Sequence, residues 1–260
     1  MSYILFRKIG EIMKFSKTET TLYFLTILTL LMGVFLLPYL PDKMATHWNQ
    51  FGVADGFSSK IVGILILPIA FLVLAFIYSL VSRTDYIKKD QLLKKPLDKI
   101  IIAGGIFLLL IAILTLIWNL GYYFNMSYYI IPPMGLLFYL LGYLIIDVKQ
   151  NYFFGIRNPW TLKSKISWQR THFLSGILFM LLSLMLLFGI FYINYAFYLL
   201  LIGIIIIITI TFIYSYKIYL KEKKNKIEPF SSKTIIKIKK IFFYLFIISV
   251  IIFLLFLFIK

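Results

Sequence analysis

Only two histidines occur in the 260 residues, His47 and His172, and there is no cysteine. Asp42 and Asp55 share a segment with His47, the one place where carboxylates and an imidazole could converge on an exposed metal ion. A lone His in an aromatic segment is more often a hydrogen-bonded structural residue, so no metal is expected there. Without cysteine there is no disulfide framework, thiolate nucleophile or thiolate metal site. No HExxH, no GxSxG and no P-loop lysine occurs in the chain, so zinc hydrolysis, acyl transfer through a serine elbow and nucleotide cleavage lack their usual parts. The inventory predicts a protein that binds rather than catalyses, without a cofactor.

Two segments concentrate the remaining chemistry. The first, 41–60, packs His47, Trp48, Asn49 and Phe51 beside Gly52 and Asp55-Gly56, followed by Phe57 and Lys60. The glycines and the Asp-Gly pair are turn signals. Its aromatic residues suit the membrane interface, so the segment reads either as an interfacial lid, with His47 bonded to a neighbour, or as a recognition surface. The second, 151–172, holds Gly155, Arg157, Asn158, Pro159, Trp160, Thr161, Leu162, Ser164, Trp168, Thr171 and His172. Residues 161–169 could form a short amphipathic helix on the inner leaflet, with Leu162, Ile166 and Gln169 on one face. Trp160 and Trp168 would then lie at headgroup depth, and Lys163, Lys165 and Arg170 would meet anionic lipid. The alternative is a docking surface for a cytoplasmic partner.

The elements that must hold these segments are apolar. The hydrophobic share is 62% and the charged share 14%, against about 45–50% and 25% in soluble domains. Seven runs could each cross a hydrocarbon core of about 30 Å: 22–40, 61–82, 100–121, 129–147, 173–193, 195–216 and 241–259, with Asn194 as the turn between the fifth and sixth. The first lacks a small-residue cleavage site and reads as a retained helix. The expected fold is an all-α polytopic transmembrane bundle of about seven helices. Along the chain this gives an N-terminal segment 1–21, a helix pair 22–82, a four-helix unit 83–216, a basic linker 217–240 and an extra helix 241–260.

The net charge of +17 could suggest a nucleic-acid binder, but the basic residues are confined to connections between apolar runs. Alternate connections hold 24 Lys and Arg against 3 in the others. The positive-inside rule then predicts a cytoplasmic N-terminus, an external C-terminus, 41–60 outside and 148–172 inside. No direct nucleic-acid contact is expected. Ion-coupled transport wants titratable groups within the membrane, and only Asp147, at a helix end, comes near. Asn119 and Asn125 could bond between helices or cap one.

His47-Trp48-Asn49, then Gly52, Asp55-Gly56 and Ser59-Lys60, resemble the signature of a small bacterial membrane domain. Gly155-Ile156-Arg157-Asn158-Pro159-Trp160-Thr161-Leu162, followed by Ser164, Trp168, Thr171 and His172, resembles the second signature of the same proteins. In this order the pair makes residues 20–216 similar to the sporulation-delaying toxin immunity family. The resemblance implies a plasma-membrane protein that protects a producing cell from its own secreted membrane-active peptide toxin. It also implies a receptor role, in which the toxin-engaged protein holds a small cytoplasmic transcriptional repressor at the membrane. Two departures stand out: Asn158 occupies a position where the family usually shows Thr, and the seventh helix lies beyond the usual six-helix unit. The expected partners are therefore the bilayer, a secreted peptide toxin and a small repressor. A solute permease or small-molecule sensor on the same scaffold is the alternative.

Overall fold

The computed structural model describes residues 15–224 and 227–259. The basic residues Arg7, Lys8, Lys14, Lys226 and Lys260 lie outside the described residues. Helix α1 (Lys17–Leu36) starts at a capping box, in which Ser16 and Glu19 each accept the other's backbone N–H. A 3-10 turn (Leu37–Tyr39) containing Pro38 ends it and leads to strands β1 (Lys43–Trp48) and β2 (Ala54–Ser59). There follow α2 (Lys60–Ser82), the short α3 (Asp85–Lys89), α4 (Gln91–Asn119) and α5 (Met126–Ile145). Next come the short α6 (Pro159–Lys163), α7 (Lys165–Phe188), α8 (Ile193–Lys223) and α9 (Ser232–Ile259).

Among the described residues, six helical stretches are long and apolar enough to cross a bilayer. The fifth, Lys165–Lys223, has 59 residues, about 88 Å if straight and far beyond any bilayer. It is instead folded back on itself. Ser167 bonds the carbonyl of Ser215, Leu182 packs on Gly203, and Gly189 faces Ala196, the spacing of an antiparallel pair. Among the described residues this multi-pass membrane protein thus has seven helices of membrane-spanning length. The fold-back is the 3-10 turn Gly189–Tyr192, so Asn194 is not the turn but lies in the first turn of α8.

Several helices outrun their apolar runs. Helix α4 begins at Gln91 rather than 100, α8 continues to Lys223, and α9 begins at Ser232. Hydropathy marks where hydrocarbon ends, whereas a helix continues into the headgroup region while its backbone bonds hold and its Lys and Arg reach water. Helix α5 starts at Met126, upstream of the run at 129, and carries Pro132 and Pro133 inside it.

Small residues set the closest packing. A Cβ on Gly142 would lie 2.6 Å from the carbonyl oxygen of Gly176, and one on Gly176 would lie 2.8 Å from that of Gly142. Helices α5 and α7 therefore touch backbone to backbone, the close approach that stands in for hydrophobic force in a membrane. On the face where α1 begins, a polar clamp ties α1 to α2: Glu19, almost fully buried, accepts from Arg83 Nη2 at 2.8 Å and Nε at 3.1 Å. One helix away, the Tyr78 hydroxyl donates to Asp98 of α4. A buried carboxylate is tolerated only with such partners. Neither Glu19 nor Asp98 stands out in the sequence, because their partners are distant in the chain.

Candidate functional site

The segment 41–60 is no turn-rich loop. It is an antiparallel β-hairpin, pairing Lys43 with Ser59, Ala45 with Phe57 and Trp48 with Ala54, and irregular around His47. Its base is closed by Lys60 N–H donating to the Asp42 carbonyl, beside the Lys60–Asp42 ion pair. Asn49 makes the tip: its side-chain oxygen accepts the N–H groups of Phe51 and Val53, and Gly52 takes φ +73°. A Cβ on Gly52 would fall 2.0 Å from the Asn125 side-chain oxygen. The glycine is thus required twice, for its backbone angle and for the contact.

Two asparagines hold the hairpin to the bundle. Asn119, buried at the end of α4, accepts the Ala45 N–H at 2.7 Å and donates to the Ala45 carbonyl at 3.0 Å. It covers the outer edge of β1, whose polar groups would otherwise lie unpaired against apolar surface. Asn125 caps α5 by accepting the Ser127 N–H, and it donates to the Phe51 carbonyl at 2.7 Å. Met44 beneath is fully buried among Leu40, Ile64 and Leu116. Asn119→Ala strands two buried backbone groups, each worth about 1–3 kcal/mol. The expected result is accelerated hydrogen exchange at the Ala45 amide with the helical amides unchanged; unaltered exchange would mean that Asn119 is not the tie.

His47 is the hydrogen-bonded residue expected of a lone histidine, its Nδ1 lying 2.6 Å from Asp55 Oδ1, with both side chains largely exposed. Trp48 turns inward and meets Trp118 edge-on at 5.8 Å, and Trp118 meets Tyr123 at 4.7 Å. Below the hairpin lies a cavity of about 460 Å³, roofed by Thr46, His47, Trp48, Asn49 and Gly52. Its walls come from α2, α4, α5 and α8, and it reaches Ala70 and Leu108, near the middle of α2 and α4. The lining carries no Asp, Glu, Lys or Arg. The Trp48 indole N–H is buried without a hydrogen-bond partner among the described residues. Phe51 and Phe57 are exposed on the hairpin, outside the cavity lining.

The opposite face holds the second segment, and here the expected in-plane helix is absent. Asn158 caps the five-residue α6 by accepting the N–H groups of Trp160 and Thr161, and Ser164 breaks the helix and caps α7. Leu162 and Ile166 are therefore on different helices. Trp168 is not exposed on an in-plane helix. It is buried in α7, donating its indole N–H to the Val148 carbonyl at 2.7 Å and stacking on His172 at 4.0 Å. His172 donates Nδ1–H to the Trp168 carbonyl and accepts the Ile156 N–H at Nε2 at 2.9 Å, a pattern that requires the neutral ring. Gly155, at φ +108°, lets the loop pass over that ring.

The remaining bonds make this segment a knot between α7 and α8. Asn158 donates to the Ser215 hydroxyl at 2.8 Å, Thr161 donates to the Ile156 carbonyl, Ser164 bonds Glu222, and Trp160 packs on Phe212 and Tyr216. Thr171 is fully buried. Arg157, Pro159, Lys163 and Tyr152 are left facing outward. At the rim, Lys149 donates to Asp90, which holds that carboxyl below its usual range.

Both segments lie in matched regions. Residues 147–215 match the SdpI/YfhL protein family, and residues 24–72 match a domain of unknown function. The immunity protein SdpI of Bacillus subtilis (strain 168) is 31% identical over 145 residues, 55% of this chain and 66% of that protein. In these regions the chain is similar to SdpI-like proteins. The alignment spans a little under two thirds of that relative's length. No solved structure matches the chain. The SdpI/YfhL match runs from the end of α5 through the knot and α7 to α8, so the paired spans fixed by Asn158, Ser167 and Ser215 are its structural content. The other match holds α1 from residue 24 onward, the hairpin and about half of α2. Helix α9 lies outside both.

Proposed function

We propose that this SdpI-like chain is a non-enzymatic membrane immunity protein that gives resistance to a secreted membrane-active peptide, met in the cavity beneath the hairpin. One observation carries the reading: the hairpin residues of the first signature roof a mostly apolar cavity that descends to the middle of α2 and α4. A peptide that acts on membranes already resides in the bilayer, so a site at that depth needs apolar walls and few polar groups. The unpaired Trp48 N–H supplies one donor for a peptide carbonyl. The distribution of Lys and Arg supports placing the hairpin outside and the knot in the cytoplasm.

The relay to a small repressor, implied by the family resemblance, would then use the outward Tyr152, Arg157, Pro159 and Lys163 of the knot. A permease or small-molecule sensor would draw on the same cavity, but a lining without Asp, Glu, Lys or Arg weighs against ion coupling.

The test is survival of a sensitive bacterial host expressing the chain, under a panel of membrane-active peptides, at matched membrane abundance. The native chain is expected to protect. Trp48→Ala is expected to lower the tolerated dose about tenfold or more, the scale of a lost aromatic anchor. Arg157→Ala is expected to keep protection and to lose only a repressor response. Failure of the native chain against every peptide would sink the immunity reading.

A further inference from the structure

We propose that the groove between α5 and α9 binds one anionic phospholipid from the basic-face leaflet, its phosphate held by Lys237 and Lys240 and an acyl chain laid between the helices. The inference is independent of the toxin reading, since α9 lies outside both matched regions and away from the cavity under the hairpin.

Helix α9 is longer than a bilayer core requires. At 1.5 Å per residue, 241–259 alone covers about 28 Å, the thickness of the hydrocarbon. The preceding 232–240 must then stand in the headgroup layer, and it carries Lys233, Lys237, Lys239 and Lys240. Lys233, Lys237 and Lys240 follow one another at helical spacing on one exposed face, continued by Ile236, Ile241 and Tyr244.

The charges there are not equivalent. Lys239 is mostly buried, pairs with Asp147 at 2.8 Å and lies over the Tyr143 ring at 4.5 Å. Lys237 and Lys240 have no acidic partner among the described residues, and Asp147, the carboxylate at this rim, is already engaged by Lys239. Two positive charges therefore stand free at the depth of lipid phosphates, where each attracts an anionic surface.

Directly below is a groove of about 530 Å³ formed by Tyr139, Leu140 and Tyr143 of α5 with Ile236, Phe243 and Tyr244 of α9. Its lining includes Lys240 beside the already paired Lys239, and Lys237 stands one helical turn before Lys240 on the adjoining exposed face. Tyr139 stacks on Phe246 at 4.0 Å, and its hydroxyl is buried with no hydrogen-bond partner among the described residues. A buried hydroxyl lacking an acceptor in an otherwise apolar groove fits a ligand that brings its own, as a lipid ester carbonyl does. Charge at the mouth, hydrocarbon walls and interfacial depth together select a phospholipid over a soluble anion, which would have no use for the groove. Basic grooves between membrane helices are a recurring form of lipid headgroup site.

The helix is well placed to make such a lipid matter. The chain before it docks on α7: Gln169 exchanges two hydrogen bonds with Phe230, and Arg170 donates to the Glu228 carbonyl while lying over the Phe230 ring at 4.4 Å. A bound lipid would complete the seam between α9 and α5 that begins at the Asp147–Lys239 pair.

The experiment is native mass spectrometry of the full chain in mild detergent, titrated with phosphatidylglycerol or with phosphatidylcholine of the same acyl chains. One phosphatidylglycerol is expected to bind preferentially. The double variant K237Q/K240Q is expected to weaken it about thirtyfold, roughly fivefold for each lysine removed near the surface. K88Q/K95Q, which removes two exposed basic residues elsewhere on the same face, is expected to leave it unchanged. Each variant is compared at a melting temperature equal to the native one. Equal binding of the two lipids, retention by K237Q/K240Q, an equal loss in K88Q/K95Q, or added mass equal to a second copy of the chain would each overturn the proposal.

Discussion

Gly155→Ala is expected to unfold the basic face of this protein, lowering the melting temperature by about 10 °C and emptying the membrane of folded chain. Two penalties combine. The backbone at Gly155 has φ +108°, a region that costs an L-residue about 1–3 kcal/mol. The new Cβ would also stand 2.4 Å from His172 Nε2 and 3.4 Å from the Trp168 ring. His172 cannot step aside, because it is fully buried and stacked on Trp168. Moving it breaks the Ile156 N–H bond to Nε2, at about 1–3 kcal/mol for a stranded group. The sum, about 3–5 kcal/mol, corresponds to the stated shift at about 2–4 °C per kcal/mol. Thermal unfolding of purified protein measures it, beside Gly104→Ala, whose Cβ would meet nothing within 4 Å. If both variants melt with the native chain, the loop can re-route and the His172–Trp168 stack is not the brace of the knot.

That prediction could not have been made from the sequence, although every residue in it could be singled out there. Gly155, Trp168 and His172 were legible as unusual. Their environment was not, because an unbroken amphipathic helix through 161–169 puts Trp168 at the surface, whereas a break at Ser164 starts a membrane helix that carries it inside. Ser164 acts as a cap through the Ser167 N–H, a choice that depends on the contact of α7 with α8 rather than on local spacing. The hairpin was hidden for a related reason. Its strands are polar and short, and their outer edge is satisfied by Asn119, distant in sequence. The seven crossings were legible because the bilayer imposes a length and a composition on each one independently. Asn119 and Asn125 could be named as bonding residues, but not their partners Ala45 and Phe51. The Asp147–Lys239 pair was likewise unreadable, since α5 and α9 meet only once the chain between them has folded.

Ala70→Phe is expected to abolish protection in a chain that remains folded and abundant. Ala70 lines the deep end of the cavity, opposite Leu108, near the middle of α2. A phenyl group there projects into open space and meets apolar walls, so the helices need not move and apolar burial offsets any local crowding. The space it fills is the space a peptide segment would need at mid-membrane depth. The expected outcome is a tolerated peptide dose equal to that of the host without the chain, with the melting temperature at or above the native value. Ala70→Ser, which leaves the volume nearly unchanged, should protect fully. This separates two ways of using the hairpin that Trp48→Ala cannot, because Trp48 contributes both to the roof and to the Trp118 contact. Full protection by Ala70→Phe would mean that the peptide never enters the bundle. Recognition would then belong to the exposed side of the hairpin, where Phe51, Phe57 and the His47–Asp55 pair face outward.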